Sequence, residues 1–157
     1  MSYRPIHQVL GNRPFPTVAP NNSIRECAFI MKEWKSSAVL VVDGDQLLGI
    51  FTERDIVFRC VALSCPLDTI QVAHVMTKDP RTIHIDKPFG HALHMMYEGG
   101  YRHMPVVDDT GAAVGRAADD DRAIAEATRH VTDAGGVADE LVESHGMEGP
   151  EHQLHHR

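Results

Sequence analysis

The stretch Ser37-Ala38-Val39-Leu40-Val41-Val42-Asp43-Gly44-Asp45-Gln46-Leu47-Leu48-Gly49-Ile50-Phe51-Thr52-Glu53-Arg54-Asp55 decides how the rest of the chain is read. Ala38 to Val42 is a continuous apolar run, too short for a helix and too apolar for a surface strand, so it predicts a buried strand. Asp43-Gly44-Asp45 is a hairpin turn and Gln46 to Phe51 the returning strand. Thr52-Glu53-Arg54-Asp55 opens a helix carrying Ile56, Val57 and Val61. Upstream, Pro16 to Ala19 is a short extended piece, and Asn21-Asn22-Ser23 caps a helix. That helix places Ile24, Cys27, Ala28, Ile30 and Met31 at the 3-and-4 spacing of a one-sided apolar face. The resulting order is β-α-β-β-α.

The same order recurs. Thr17-Val18 returns as Thr82-Ile83 and Val41-Val42-Asp43 as Val106-Val107-Asp108, both at an offset of 65 residues, and Gly49 returns as Gly115 at 66. Agreement spread over most of residues 1–131 makes an internal duplication the natural reading. In the second unit, Arg81 to Ile85 is extended, Pro88 to Glu98 is helical with proline at the favoured start, Gly99-Gly100 stops the helix, and Met104 to Val107 is the strand. The last strand then departs from the pattern. Where the first unit has Leu48-Gly49-Ile50-Phe51-Thr52, the second has Val114-Gly115-Arg116-Ala117-Ala118, without the large apolar residues. Asp119-Asp120-Asp121 is placed to cap a helix through Ala123, Ile124, Ala127 and Val131. From Gly111 onward the bias toward Ala, Asp, Gly, Arg and His resembles a shifted frame of a GC-rich gene. Residues 132–157, glycine-rich and ending in histidines, are expected to be a disordered tail.

Composition excludes several classes. The chain has 157 residues, 43% hydrophobic, with a net charge of −7, which suits one domain or a tight pair of small modules. Residues 1–107 hold 11 Lys+Arg against 10 Asp+Glu, and residues 108–157 hold 4 against 12. A near-neutral body and an acidic C-terminal third give no basic face for nucleic acid. No apolar run approaches the ~18 residues of a membrane span. The start shows no secretory signal, so a cytoplasmic protein is expected. Three cysteines, Cys27, Cys60 and Cys65, then read as reduced thiols packed as small hydrophobes, and the Cys60-x4-Cys65 spacing is not that of a zinc knuckle.

The repeat resembles a tandem cystathionine β-synthase (CBS) domain pair, or Bateman module, of the stand-alone bacterial type. Gly49-Ile50-Phe51-Thr52-Glu53-Arg54-Asp55 matches the Gly-hydrophobic-x-Thr/Ser-x-x-Asp signature of such domains. Tyr101-Arg102-His103-Met104-Pro105-Val106-Val107-Asp108 and Val75-Met76-Thr77 are also typical of the pairs. The resemblance implies an α+β fold of two β-α-β-β-α CBS repeats, residues 5–66 and 67–131, packed as a pseudo-two-fold pair, the second with a degenerate last strand. It implies a regulatory module that binds an adenosine-containing ligand: AMP, ADP, ATP, S-adenosylmethionine or NAD(H). It also implies pairing of two copies through the second helix of each unit, for which Ile56, Val57, Val61 and Leu63 are candidates.

The residues of the first unit fit that chemistry. Thr52, where a strand ends and a helix begins, offers a hydroxyl and free backbone N–H groups to a phosphate. Asp55, one turn on, can accept from both ribose hydroxyls. Ser37-Ala38 leaves room for an adenine edge, with Val18 and Ile50 as apolar faces for the ring. By resemblance, Arg102 and His103 face the phosphates from the opposite repeat. In the second unit Ala118 stands where Thr52 does and Asp121 where Asp55 does, so one competent site and a weak or dead one are expected. Competing classes are a ligand-free dimerisation or docking module and a metal-binding protein. The metal reading uses the 11 histidines, with His91 and His94 on one helix face, His84 or His103 nearby, and His152, His155 and His156 at the end. An enzyme is not expected, because no nucleophile elbow, phosphate-cradling loop or His-Glu-x2-His motif is present; Trp34 and Met95-Met96 read as core.

Overall fold

The structure, a computed structural model, describes residues 4–121 and divides into two compact units. The described part of one comprises residues 13–84 and 104–116, and of the other 4–12, 85–103 and 117–121. The expected helix through Ala123, Ile124, Ala127 and Val131, the tail 132–157 and its histidines lie outside the described residues.

The first of these units holds a four-stranded sheet in the order β1 (Thr17–Val18), β2 (Ala38–Asp43), β3 (Gln46–Thr52), β4 (Thr77–Lys78). β1 runs parallel to β2, while β2–β3 and β3–β4 are antiparallel. The strand predicted at Ala38–Val42 forms, and Ala38 through Val41 are fully buried. Both faces of β2 are covered. Val39 and Val41 pack with Val18, Phe51, Cys60, Val72 and Ile24, Cys27 and Met31 of helix α2 (Ile24–Trp34). Ala38 and Leu40 pack on the other face with Ile50, Phe15, Leu47 and Ala113. A strand covered on both sides is apolar throughout, the pattern by which the sequence shows it. Asp43 pairs with Gln46 across a two-residue turn, whose Gly44 takes φ +61°, a backbone state that glycine adopts without strain.

β4 is not foreseen from the sequence. It has two exposed residues and no periodicity of its own, and it forms because Gly49 and Ile50 of β3 pair with Lys78 and Thr77. Gly49 makes that approach possible. A β-carbon there would lie 2.5 Å from Met76 Sδ and 2.7 Å from the Thr77 carbonyl oxygen. Met76 can move; the backbone oxygen is held in the sheet. Gly49→Ala is therefore expected to part β3 from β4 and cost about 1–3 kcal/mol. Urea titration checks this: an unchanged midpoint would show that the pairing carries no weight.

Helix α2 opens on a reciprocal cap. Ser23 Oγ accepts from the Glu26 amide at 3.1 Å and Glu26 accepts from the Ser23 amide at 2.8 Å. The backbone hydrogen bond from Ser23, followed by its hydroxyl, holds the Glu26 carboxyl below its ordinary value of 4.5. A depressed carboxyl stabilises the fold above its unfolded pKa, and that stabilisation disappears as pH falls through the folded value. In thermal melts from pH 7 to pH 3, Glu26→Gln should be less stable than wild type at neutral pH, and the gap should close in acid. A gap independent of pH would remove the carboxylate from the cap. Trp34, at the far end of α2, is 47% exposed rather than core.

A second sheet has the order β5 (Ile83–His84), β6 (His103–Val107), β7 (Ala113–Ala118), with β5 parallel to β6. β7 forms although its large apolar residues are gone, and Ala117 and Ala118 are fully buried in their place. The β6–β7 turn is tied by Asp108, whose Oδ1 accepts from the amides of Thr110 and Ala112 and the Thr110 hydroxyl. In the other compact unit, helix α1 (Ile6–Leu10) meets the approach to helix α4 (Phe89–Gly99) through Ile6 N donating to Lys87 O at 2.8 Å. Ile6, Phe89, Ala92 and Met96 are among its buried residues.

Candidate functional site

The register of β2 and β3 assembles the first candidate site. Ala38 pairs with Thr52, and the Glu53 amide donates to the Ser37 carbonyl at 2.9 Å. The turn from β3 into helix α3 (Glu53–Asp55) thus lies against the start of β2. Thr52 and Asp55 form a reciprocal cap: Thr52 Oγ1 accepts from the Asp55 amide at 3.2 Å, and Asp55 Oδ2 accepts from the Thr52 amide at 3.0 Å. The other carboxylate oxygen of Asp55 faces Arg59 Nε at 3.6 Å, with the Asp55 side chain 15% exposed. Arg59 is in turn anchored by donating to the Val75 carbonyl at 3.0 Å.

This geometry corrects one expectation. The amides of Glu53 and Asp55 are not free for a phosphate, since the first is bonded to Ser37 and the second to Thr52. The Thr52 hydroxyl still has its own proton to donate, and the Asp55 carboxylate, accepting one amide bond and facing one guanidinium, retains lone pairs for further donors.

Val18 and Ile50 are placed apart. Val18 belongs to the core on the α2 side, whereas Ile50 packs with Ala38 and Leu40 on the opposite face. Arg102 and His103 belong to the other compact unit from Thr52 and Asp55. Arg102 Nε is ion-paired with Asp119 Oδ2 at 2.9 Å, and the Asp119 amide donates back to the Arg102 carbonyl at 3.0 Å. Asp119 was legible only as a member of an acidic triplet, because its partner lies 17 residues away in sequence. Asp121 repeats half of the first cap. Its Oδ2 accepts from the Ala118 amide at 2.8 Å, and the residue is 4% exposed. Ala118 has no hydroxyl to return the bond.

The helix after Asp55 is not the regular α-helix that the spacing predicts. Ile56–Val61 is π-helical, with the Ala62 amide bonded to the Val57 carbonyl five residues back at 2.9 Å. Ile56 packs on the core, while Val57, Phe58, Val61 and Leu63 are exposed. Among the described residues no group of three or more His, Cys, Asp or Glu could hold a metal ion; His94 pairs with Glu98 at 3.0 Å. No helix of the described residues is long and apolar enough to cross a membrane.

The CBS domain profile matches residues 7–61 and 72–121, so the chain belongs to the CBS domain family and carries two copies of its repeat. The second match runs past Gly111 to Asp121, so the residues there fit the family in the frame given. The CBS domain-containing protein CBSCBSPB1 of Arabidopsis thaliana is 40% identical over 97 residues, 62% of this chain and 18% of that protein. The chain spans 15–19% of three further plant relatives. Among solved structures, the CBS domain pair of protein MJ0100 in complex with 5′-methylthioadenosine and S-adenosyl-L-methionine superposes with a TM-score of 0.68 at 28% identity, covering 76% of this chain and 96% of that one. The CBS domain protein PAE2072 from Pyrobaculum aerophilum, complexed with AMP, shares the fold with a TM-score of 0.70 at 24% identity, over 75% and 89%.

Proposed function

We propose that this CBS pair is a regulatory sensor of an adenosine-containing small molecule, with its competent site at Thr52 and Asp55. The observation that carries the reading is the β3-to-helix turn, where a hydroxyl and a largely buried carboxylate lie beside the small residues Ser37 and Ala38. A carboxylate with lone pairs left over is suited to a ribose diol, and a threonine hydroxyl to a phosphate or sulfonium-bearing tail. The ligands named for MJ0100 support the adenosine class. Candidates are AMP, ADP, ATP, S-adenosylmethionine and NAD(H). In this reading the repeats are 5–66 and 67–131, Ile50, on the same face as Ala38, gives an apolar contact while Val18 stays in the core on the α2 side, and Arg102 and His103 come to the ligand from the second repeat. The Asp121 site, lacking a hydroxyl at Ala118, is weak.

The module is not an enzyme in this reading. It acts in the cytoplasm as a homodimer on a regulated protein, and the ligand shifts the balance of its arrangements only through its difference in affinity for them. A second reading, a ligand-free dimerisation module, rests on the exposed apolar residues Val57, Phe58, Val61 and Leu63, a patch of the kind that asks for cover. Calorimetric titration with the five ligands separates the two. Saturable binding near one ligand per chain supports the sensor; no binding by any of them, together with a tight dimer, supports the module.

A further inference from the structure

The helix that Thr52 and Asp55 open ends in a Schellman motif. Ser64 takes the left-handed conformation at φ +56°, its amide donates to the Val61 carbonyl at 3.1 Å, and the Cys65 amide donates to the Cys60 carbonyl at 2.9 Å. In this motif the residue after the left-handed one packs its side chain on the residue whose carbonyl it binds. At the end of α4 the same two positions are Met96 and Tyr101, with Tyr101 N bonded to Met96 O. Here they are both cysteines.

The placement suits a covalent bond. A disulfide needs α-carbons within about 6.8 Å. With standard bond lengths, a 2.9 Å amide-to-carbonyl bond between the two residues themselves keeps their α-carbons within about that limit. Cys60 is fully buried, Cys65 is partly exposed and packed against the same cluster, and the Cys65 thiol rests on the Arg59 carbonyl at 3.4 Å. The Cys60 thiol is pushed up first by burial and then by Cys65.

We propose that Cys60 and Cys65 are a redox-modification site, closed to a reversible disulfide by a hydroperoxide. The accessible Cys65 thiol gives up its proton and its sulfur attacks the peroxide O–O bond, giving a sulfenic acid; the departing hydroxide or alkoxide takes up that proton and leaves as water or an alcohol. The Cys60 thiol then attacks that sulfur, forming the S–S bond, and its proton leaves with the departing hydroxide as water. Two thiols are oxidised and the peroxide is reduced. Cys27, fully buried with its thiol pushed up to about 12 by burial, then Glu26 and then Cys60, stays reduced.

Tryptic mapping of the full chain tests this without any substitution, because both cysteines fall on the one peptide 60–78, between Arg59 and Lys78, and Cys27 on another. After brief hydrogen peroxide treatment and alkylation, peptide 60–78 should lose the mass of two hydrogens and carry no alkyl group. A thiol reductant should restore both sites, and Cys27 should remain fully alkylatable on denaturation. Cys65→Ser, at a partly exposed position, should abolish the bond and leave Cys60 reduced. The proposal is overturned if Cys65 stops at sulfinic acid beside a reduced Cys60, if either sulfur pairs with Cys27 or another chain, or if both thiols survive the treatment.

Discussion

On the proposed sensor reading, an Asp55→Ala chain is expected to bind an adenosine ligand at least tenfold more weakly than wild type, about 1.4 kcal/mol or more. It is also expected to lose about 1 kcal/mol of stability, because the same carboxylate caps its own helix. The two losses can be separated. Asp55 Oδ2 accepts from the Thr52 amide, a bond that an asparagine carbonyl can keep. The charge facing Arg59 and the two-oxygen acceptor for a diol cannot be kept. Asp55→Asn should therefore melt close to wild type and still bind weakly, whereas Asp55→Ala loses on both counts. Calorimetry and thermal melts on the two variants decide it. Wild-type affinity in Asp55→Asn would reduce the residue to a helix cap. Asp121→Ala should leave affinity nearly unchanged but cost stability, since it strips the Ala118 amide of its acceptor.

Phe51→Ala should have the largest effect on stability, about 3–5 kcal/mol. Phe51 is fully buried and packs among Val18, Val39, Val41, Cys27 and Met31. Its removal takes apolar area from the core between the sheet and α2 and leaves a cavity that close-packed neighbours fill only in part. Out of a total of about 5–15 kcal/mol for a domain, this amounts to a fall in Tm of roughly 10–20 °C. Phe51→Leu, nearer in volume, should cost under about 1.5 kcal/mol. Since Phe51 directly precedes Thr52, the alanine variant should also loosen the ligand site. A drop of only a degree or two would mean that α2 does not depend on this residue.

Local signals carried much of this fold. The Ala38–Val42 run, the Gly44 turn and the Ser23 and Thr52 caps each depend on residues within a few positions of one another, so composition and spacing expose them. The duplication is legible for the same reason, because matching residues recur at nearly constant offset. Long-range decisions were hidden. β4 exists because Gly49 lets a backbone from 28 positions on, at Thr77, come within contact. The Arg102–Asp119 pair and the placement of Val18 and Ile50 on opposite faces depend on which strands become neighbours. β7, poor in large apolar residues, is a strand because β6 offers it a hydrogen-bonding edge.

The sequence by itself determined the β-α-β-β-α repeat, the Thr52–Asp55 turn and the loss of the hydroxyl at Ala118, all of them matters of residue type at a fixed local spacing. Tertiary structure alone decided that the Glu53 amide at that turn is taken by the Ser37 carbonyl, that the Arg59 guanidinium is anchored on the Val75 carbonyl, and that β4 pairs with β3. The physical reason is the same in each case. A hydrogen bond or a packed contact is completed by whatever partner the fold brings within about 3–4 Å, and spacing along the chain does not name that partner.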